Sequence, residues 1–380
     1  MINHRIETPA SSQEGPGPTP EQASDLTLEA WRLRVCGEAD HVHEVMAGLS
    51  PPCQPRAPGE KPDWTLQIER DRDGALPGRE AAEALFADRP TLTYPAPGRQ
   101  MAVMEESGEG LRILGRYRPS EAAAFLEVDR AHRSTRLLMS ANEPVGRWPV
   151  WLALLFFSSR MLTRGWRLLH ASAVMIGESV VLFTAPSGGG KSTLAHRAHA
   201  ELDARFMADD LVLVGPDGVV AGWPTRVAPP MGLARPEDAR QNRPMLVHGT
   251  RRRRLFTAAE HRAAVAYAPP APLSAIVQVS AGGLPPGRSA GVPTAILLTA
   301  AELTAVIAEA AHVPGQRLHS ADLLSITGPG PVPAGTEEAG FDLVEAGIRG
   351  VRLMVDDLRA LAHLPVWDAL SAVLPEVSAR

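Results

Sequence analysis

The hydrophobic and polar positions of the chain are organised around one apolar run near its middle. Residues 180–184 read VVLFT, a β-branched apolar run that is typical of a buried strand. Residues 185–190 are small and glycine-rich, and Lys191 opens a helical pattern that extends to about Leu202. The pattern therefore predicts a strand, a glycine loop and a helix in direct succession.

The pattern before this centre predicts a small α+β unit and then a helix. Trp31, Leu33 and Val35 alternate with arginines, as in a half-buried strand, and a short helix is predicted at 40–49. Further strands are predicted at 64–68, 101–105, 111–117 and 125–129, a helix at 149–164, and a strand over 166–174 that forms a hairpin with the central strand.

The pattern after the centre is weaker and predicts alternating strands and helices. A strand is predicted to start at Arg205, to end on Asp209 and Asp210, and to be continued by residues 211–214. The remaining predicted elements are a strand at 273–279, a helix at 300–311 with Thr299 as its N-cap, a strand at 350–355 and a helix at 365–374.

Composition and length indicate a tail and two domains. Residues 1–24 are rich in Pro, Ser, Gly and Glu and lack apolar periodicity, which predicts a disordered tail. A chain of 380 residues is long enough for two hydrophobic cores. We assign 25–145 to an N-terminal α+β domain and 146–380 to a second, α/β domain that contains the glycine loop.

Charge and cysteine content narrow the class of protein. A net charge of −5 argues against a protein that binds nucleic acid or an anionic membrane. The apolar run 150–157 is far shorter than the roughly 18 residues of a membrane span. Cys36 and Cys53 lack metal or redox spacing, and the N-terminus lacks the apolar core of a secretory signal. A reduced, cytoplasmic setting is the simplest interpretation.

The glycine loop has the composition of a phosphate-binding loop. Its sequence matches the pattern GxxxxGK(S/T), except that Ala185 stands at the first glycine. Backbone N–H groups and the helix dipole in such a loop attract anions, Lys191 would reach the terminal phosphates, and Ser192 would hold magnesium. The predicted nucleotide-binding residues are Ala185, Pro186, Ser187, Gly188, Gly189, Gly190, Lys191, Ser192 and Thr193. The alternative is a glycine-rich turn that merely precedes a lysine.

Three further side chains are candidates for chemistry. Asp209 and Asp210 end the strand after the loop helix, so one carboxylate can lie on a metal while the other accepts a hydroxyl proton. Neighbouring residues of a strand face opposite ways, so a turn or bulge must redirect one of them. His170 lies on the predicted strand that pairs with the central strand, so it can lie beside the loop. The alternatives are ordinary turn acids and a core histidine.

A second group of polar residues, at positions 40–44, has two histidines and two acids. His41 and His43 share a face on a strand but not on a helix. Because the surrounding pattern is helical, we favour a solvated helix face over a metal site.

Three segments carry a family resemblance: HAS at 170–172, APSGGGKS at 185–192 and MADD at 207–210. They resemble the core of HPr kinase/phosphorylase and, more closely, of the HPr-kinase-like proteins found beside peptide natural-product gene clusters. The resemblance covers 149–215 strongly, and the remainder to about residue 374 only by the order of strands and helices. It implies a P-loop kinase core of the phosphoenolpyruvate-carboxykinase-like type, catalytic roles for His170, Lys191 and Asp210, magnesium on Ser192, and oligomers. Asp209 is then left to lie near the metal or to hold Asp210 in place.

The resemblance has limits after residue 215. The family's Glu-centred signature has no counterpart in the slot that holds Trp223 and the prolines at 229–230, so the resemblance does not extend to phosphorylase activity. The arginine run 251–254 is the nearest candidate for the family's later catalytic arginine.

The resulting hypothesis is an ATP-dependent kinase that uses ATP and Mg2+ to phosphorylate a hydroxyl, such as a Ser of a peptide or protein. The N-terminal domain would recognise the substrate or mediate assembly. The alternative is a nucleotide-binding regulatory or scaffold module with little or no phosphotransfer.

Overall fold

The structure is a computed structural model that describes residues 21–89, 100–116, 121–141, 148–225, 227–229, 256–282, 291–315, 343 and 346–378, and the backbone of 245–248 and 251–254. It is a mixed α/β protein with two large mixed sheets. Among the described residues, no helix is long and apolar enough to cross a membrane.

The strands and helices follow one another along the whole described chain. The strands are β1 (Glu21–Leu28), β2 (Trp31–Glu38), β3 (Gln54–Arg56), β4 (Trp64–Asp71), β5 (Gln100–Glu106), β6 (Gly110–Arg116), β7 (Ala124–Asp129), β8 (Ser134–Ser140), β9 (Arg167–Leu169), β10 (Ala171–Ile176), β11 (Ser179–Thr184), β12 (Arg205–Ala208), β13 (Val212–Val214), β14 (Val219–Gly222), β15 (Met245–His248), β16 (Arg251–Arg254), β17 (Ala271–Ala281), β18 (Thr294–Leu297) and β19 (Arg349–Val355). The helices are α1 (Ala39–Leu49), α2 (Arg79–Asp88), α3 (Trp148–Leu162), α4 (Lys191–Leu202), α5 (Ala258–Arg262), α6 (Ala300–Gly315), α7 (Val366–Ser371) and α8 (Pro375–Ser378), with a 3-10 turn at Ala360–Ala362.

The first sheet is built from the strands before residue 141, in the order β3-β1-β2-β4-β8-β7-β6-β5. Its apolar face packs against α1 and α3 in one core, which includes Val45 of α1 and Phe156 of α3. The same core continues into the second half of the chain through residues such as Leu213 and Trp223. Helix α3 is therefore buried between the two halves, and the domain boundary at 145–146 stays a prediction.

The second sheet has the central order β12-β10-β11-β17, and β19 pairs with β17 on a further edge. Successive residues of β11 point to opposite faces, as expected for a strand. Val181 and Phe183 pack in the core that contains α4, whereas Val180 and Leu182 pack in the core that contains α6. The central strand is thus buried on both faces, which explains its continuous apolar run.

The central predicted elements are confirmed. The strand that precedes the glycine loop is β11, the helix that follows it is α4, and β10 and β11 form the predicted hairpin. Thr299 caps α6, since its hydroxyl accepts from the Glu302 N–H at 3.3 Å.

Four details of the predicted elements are wrong. Residues 21–24 belong to β1 rather than to the tail, because β2 supplies their backbone partners. Residues 166–174 form two strands that separate at His170, since β9 pairs with β13 while β10 pairs with β11. Residues 211–214 do not continue β12, since β13 pairs with β9 and β14 instead. The last predicted helix, 365–374, ends too late, since α7 stops at Ser371 and a separate short helix, α8, begins only at Pro375.

Candidate active site

The register of three strands brings the predicted site residues to one edge of the second sheet. Strand β10 is antiparallel to both β11 and β12, with Ala171 opposite Thr184 and Ala173 opposite Ala208. The carboxyl ends of β11 and β12 therefore lie beside the amino end of β10. The glycine loop, the two acids and His170 each continue from one of these three ends.

His170 and Asp210 are in contact at this edge. His170 Nε2 lies 3.3 Å from Asp210 Oδ1, and the His170 side chain is 10% exposed whereas that of Asp210 is 37% exposed. The backbone N–H of His170 donates to the Ala310 carbonyl of α6 at 2.8 Å. The backbone of His170 is thus held by α6, while the carboxylate that its imidazole contacts is partly exposed.

Asp209 points the other way and is only 5% exposed. Its Oδ2 accepts the Ala228 N–H at 3.1 Å, and its Oδ1 lies 3.5 Å from Ser172 Oγ. The Ser172 hydroxyl also donates to the Asp209 backbone carbonyl. These contacts fix the turn that separates β12 from β13, so the two acids face opposite sides of the chain. The metal-ligand role of Asp209 stays a prediction.

The glycine loop depends on its glycines. Gly188 and Gly190 have φ angles of +78° and +97°, which favour glycine. The Gly189 N–H donates to the Pro186 carbonyl at 2.9 Å, and a Cβ at Gly189 would lie 2.6 Å from Ala185 Cβ. The methyl group that replaces the usual first glycine is therefore accommodated because position 189 has no side chain.

Lys191 lies at the start of α4 and is buried. Its Nζ donates to the carbonyls of Ala185 at 2.9 Å and Pro186 at 3.4 Å. The ammonium group is thus folded onto the loop that precedes it, in reach of an anion bound by that loop. Ser192 and Thr193 are half-buried beside it, while Ser187 and Gly188 are exposed at the rim.

A buried chain of three polar side chains lies behind the first turn of α4, and the sequence reasoning missed it. His196 Nδ1 is 2.7 Å from the Ser192 carbonyl oxygen, His196 Nε2 is 3.1 Å from His261 Nε2, and His261 Nδ1 is 2.9 Å from the Tyr267 hydroxyl. Burial lowers the pKa of His261 to about 3. Burial, and then the nearby Asp209 carboxylate, raise the pKa of Tyr267. No local sequence pattern links these residues, because 65 positions separate the two histidines.

The 3-10 turn after β19 was also missed, although it touches the loop. A Cβ at Gly190 would overlap the Leu361 side chain of this turn. Arg197 of α4 anchors the turn by donating to the Leu361 carbonyl at 2.6 Å and the Leu364 carbonyl at 2.9 Å. Residues 356–364 read DDLRALAHL, and nothing in that short segment marks Leu361 as a contact of the loop.

Two other candidates lie on other elements. The arginine run 251–254 is strand β16, paired with β15, and its side chains lie outside the described part of the structure. In the predicted helix α1, Asp40 and His43 are exposed, so the solvated-face interpretation holds for them, whereas it is wrong for His41, which is fully buried.

The acids near His41 are engaged by arginines. Glu38 and Asp40 lie close enough to His41 to share a metal ion. However, the carboxylate oxygens of Glu38 accept from Arg70 at 2.9 Å and from Arg72 at 2.5 Å, and Asp40 also accepts from Arg70. A cation would have to displace two guanidinium groups, so this group is better explained as a network of ion pairs.

Comparison of the chain with known protein families and with curated proteins found no match. The geometry of the sheet edge therefore carries the functional argument.

The contact between Gly190 and Leu361 predicts a large effect of one methyl group. We expect Gly190→Ala to lower the free energy of unfolding by about 2–4 kcal/mol, since the φ angle is strained and the methyl overlaps a buried leucine. Gly218→Ala is the matched control, because Gly218 has a φ of +76° and open space around it. Its expected cost is about 1 kcal/mol. Denaturant unfolding checks this, and equal losses in the two variants would contradict the packing argument.

The low pKa of His261 predicts that stability falls in mild acid. The imidazole stays neutral in the folded chain down to about pH 3 but takes up a proton near pH 6.5 once unfolded. The unfolded state therefore binds more protons below pH 6.5, and about 2 kcal/mol of stability is lost between pH 6.5 and pH 5. Unfolding measured across this range should show a shallower pH dependence in His261→Gln than in the wild type. His363→Gln changes an exposed histidine and should keep the wild-type slope; a wild-type slope in His261→Gln would be inconsistent with a buried neutral imidazole.

Proposed function

We propose that the chain is an ATP-dependent kinase that transfers the γ-phosphoryl group to a hydroxyl, such as a Ser of a peptide or protein. We further propose that its second half is a P-loop kinase core of the phosphoenolpyruvate-carboxykinase-like type. The observation that carries the proposal is the shared sheet edge, where the His170–Asp210 contact lies beside the end of β11 that leads into the glycine loop.

The loop has the features of a triphosphate cradle. A Cβ at Gly189 would clash with Ala185 and one at Gly190 would clash with Leu361, so the turn of the loop into α4 requires glycine at both positions. It ends at the N-terminus of a 12-residue helix, where the helix dipole favours an anion. Lys191 would exchange its contacts with the loop carbonyls for contacts with phosphate oxygens, which are stronger because both partners are charged.

Magnesium would be held by oxygen groups at this edge. Ser192 at the helix start and the partly exposed Asp210 carboxylate offer the oxygen ligands that this hard cation prefers, and Asp209 would join them only by giving up the Ala228 N–H. The metal would supply positive charge that offsets the negative charge developing on the transferring phosphoryl group.

Asp210 would act as the base for the acceptor. Its partly exposed carboxylate takes the hydroxyl proton as the hydroxyl oxygen bonds to the γ-phosphorus, and the bond from that phosphorus to the β–γ bridging oxygen breaks to release ADP. His170 orients the carboxylate through their 3.3 Å contact. Lys191 would stabilise the charge on the transferring group.

A second candidate, a nucleotide-binding regulatory or scaffold module without transfer activity, is favoured by one observation. The Asp209 carboxylate already accepts the Ala228 N–H and is almost fully buried. If it is not available to a metal, a single carboxylate remains for both metal binding and proton acceptance. The following variants separate the two functions.

Nucleotide binding should depend on Lys191. ATP with magnesium should raise the melting temperature of the wild type by mass action, and Lys191→Ala should abolish the rise. The control is Lys61→Ala, because Lys61 is the only other lysine of the chain and is exposed in the first half. A full ATP-dependent rise in Lys191→Ala would exclude the loop as the binding site.

Substitution of Asp209 and of Asp210 should have different effects on magnesium-dependent binding and on phosphoryl transfer. Asp210→Asn keeps the size of the side chain but removes its basicity, so it should bind MgATP within a few-fold of the wild type and lose about 10²–10⁴-fold in transfer rate. Asp209→Asn should instead weaken magnesium-dependent binding, because a hard cation prefers a charged oxygen. Nucleotide affinity with and without magnesium, and the rate of transfer to a Ser peptide, are the measurements. A near wild-type rate in Asp210→Asn would refute the kinase mechanism, and proportional losses in both variants would refute the division of roles.

A further inference from the structure

The proton positions in the hydrogen-bonded chain of His196, His261 and Tyr267 follow from the carbonyl acceptor at one end of it. The Ser192 carbonyl can only accept, so His196 carries its proton on Nδ1 and presents a lone pair on Nε2. His261 must then donate from Nε2, which leaves its Nδ1 to accept from the Tyr267 hydroxyl. With both imidazoles neutral, all three hydrogen bonds run in one direction, from Tyr267 to Ser192.

The Tyr267 end of this hydrogen-bonded chain is linked to β12, the strand that precedes the acids. The residues that flank Tyr267 pair with β12 through Phe206, whose N–H donates to the Ala266 carbonyl at 2.8 Å and whose carbonyl accepts from Ala268 at 2.7 Å. The Phe206 ring also packs against the rings of His196, His261 and Tyr267, with centroids 5.0, 4.7 and 5.3 Å away. Strand β12 ends at Ala208, directly before the acids. The hydrogen-bonded side chains thus connect the first turn of α4 with the strand that precedes Asp209 and Asp210.

We propose that His196, His261 and Tyr267 are positioning residues that hold the Ser192 carbonyl, and with it the first turn of α4, at a fixed spacing from the acids after β12. Resting on the proposed kinase function, this assigns to them the separation between the Ser192 hydroxyl, which would hold the nucleotide's magnesium, and the acids that follow β12. None of the three touches the nucleotide in this role. Partners that orient metal ligands in this way typically change metal affinity by about 10–100-fold when they are removed.

The most conservative test removes a single hydroxyl. Tyr267→Phe keeps the ring that packs on Phe206 but deletes the donor that starts the chain, so His261 loses the partner that fixes its proton. We expect the concentration of Mg2+ that half-saturates ATP binding to rise about tenfold, while the affinity for ATP without magnesium is unchanged. The KM for MgATP should rise more than kcat falls.

The matched control lies on the same helix. His199 also bonds a backbone carbonyl, that of Ala204 at 2.8 Å, but at the opposite end of α4. His199→Ala should leave the Mg2+ dependence at its wild-type value. A shift of equal size in both variants would mean that any weakening of α4 has this effect, and an unshifted Tyr267→Phe would overturn the proposal.

A measurement without ligand separates this proposal from the kinase function. In Tyr267→Phe, the amide hydrogens of residues 188–194 should exchange faster than in the wild type, whereas those at 200–205 should not, because the chain ends on the first turn of α4. His199→Ala should show the reverse. If the wild type does not bind MgATP, the kinase proposal fails and this exchange pattern still decides the positioning role. Unchanged exchange at 188–194 would overturn it.

Discussion

The pairing of β10 with a strand on each side is the constraint on which the candidate site depends. Because β10 runs antiparallel to both β11 and β12, its amino end meets the carboxyl ends of both neighbours. Three segments with different chemistry, a glycine loop, a histidine and an acid pair, must then leave the sheet at one edge. A shift of β10 by one residue would turn His170 to the other face and separate it from Asp210.

Two connections between strands at this edge give the histidine and the acids their directions. His170 lies where the chain passes from β9 to β10, and Asp209 and Asp210 lie where it passes from β12 towards β13. At the connection after β12, Asp209 is held inward by Ala228 and Ser172, which leaves Asp210 facing outward against His170. The buried acid therefore acts as an anchor for the exposed one, whatever else it binds.

Much of this arrangement could be predicted from the sequence, since its strongest signals are local. The apolar run of β11, the glycines and the start of α4 follow one another within 13 positions (residues 179–191), and their order alone specifies a strand, a loop and a helix. Helix α2 was not predicted, because only Ala82 and Phe86 of it are buried, which gives a weak periodicity. Strand β8 was not predicted, because its buried residues 137–139 are consecutive and interrupt the alternation of a half-buried strand. The start of β12 was predicted correctly, but its continuation was not, since the pairing of β13 with β9 and β14 is a long-range choice.

The parts of the site that the sequence could not predict are contacts between distant segments. Ser172, which precedes Asp209 in the sequence, and Ala228, which follows it, both contact its carboxylate. Leu361 lies against Gly190, although 171 positions separate them (361 minus 190). Such contacts are set by how the sheet packs against its helices rather than by any local pattern. This is also why the hydrogen-bonded chain from Tyr267 to Ser192 has no sequence signature.

The most direct test of the account is a crystal structure of the protein with magnesium and a non-hydrolysable ATP analogue. The account predicts the triphosphate within the loop of residues 185–190, Lys191 Nζ within hydrogen-bond distance of its terminal phosphates, and the γ-phosphate facing the Asp210 carboxylate. A nucleotide bound elsewhere, or one in the loop whose γ-phosphate faces away from His170 and Asp210, would contradict it.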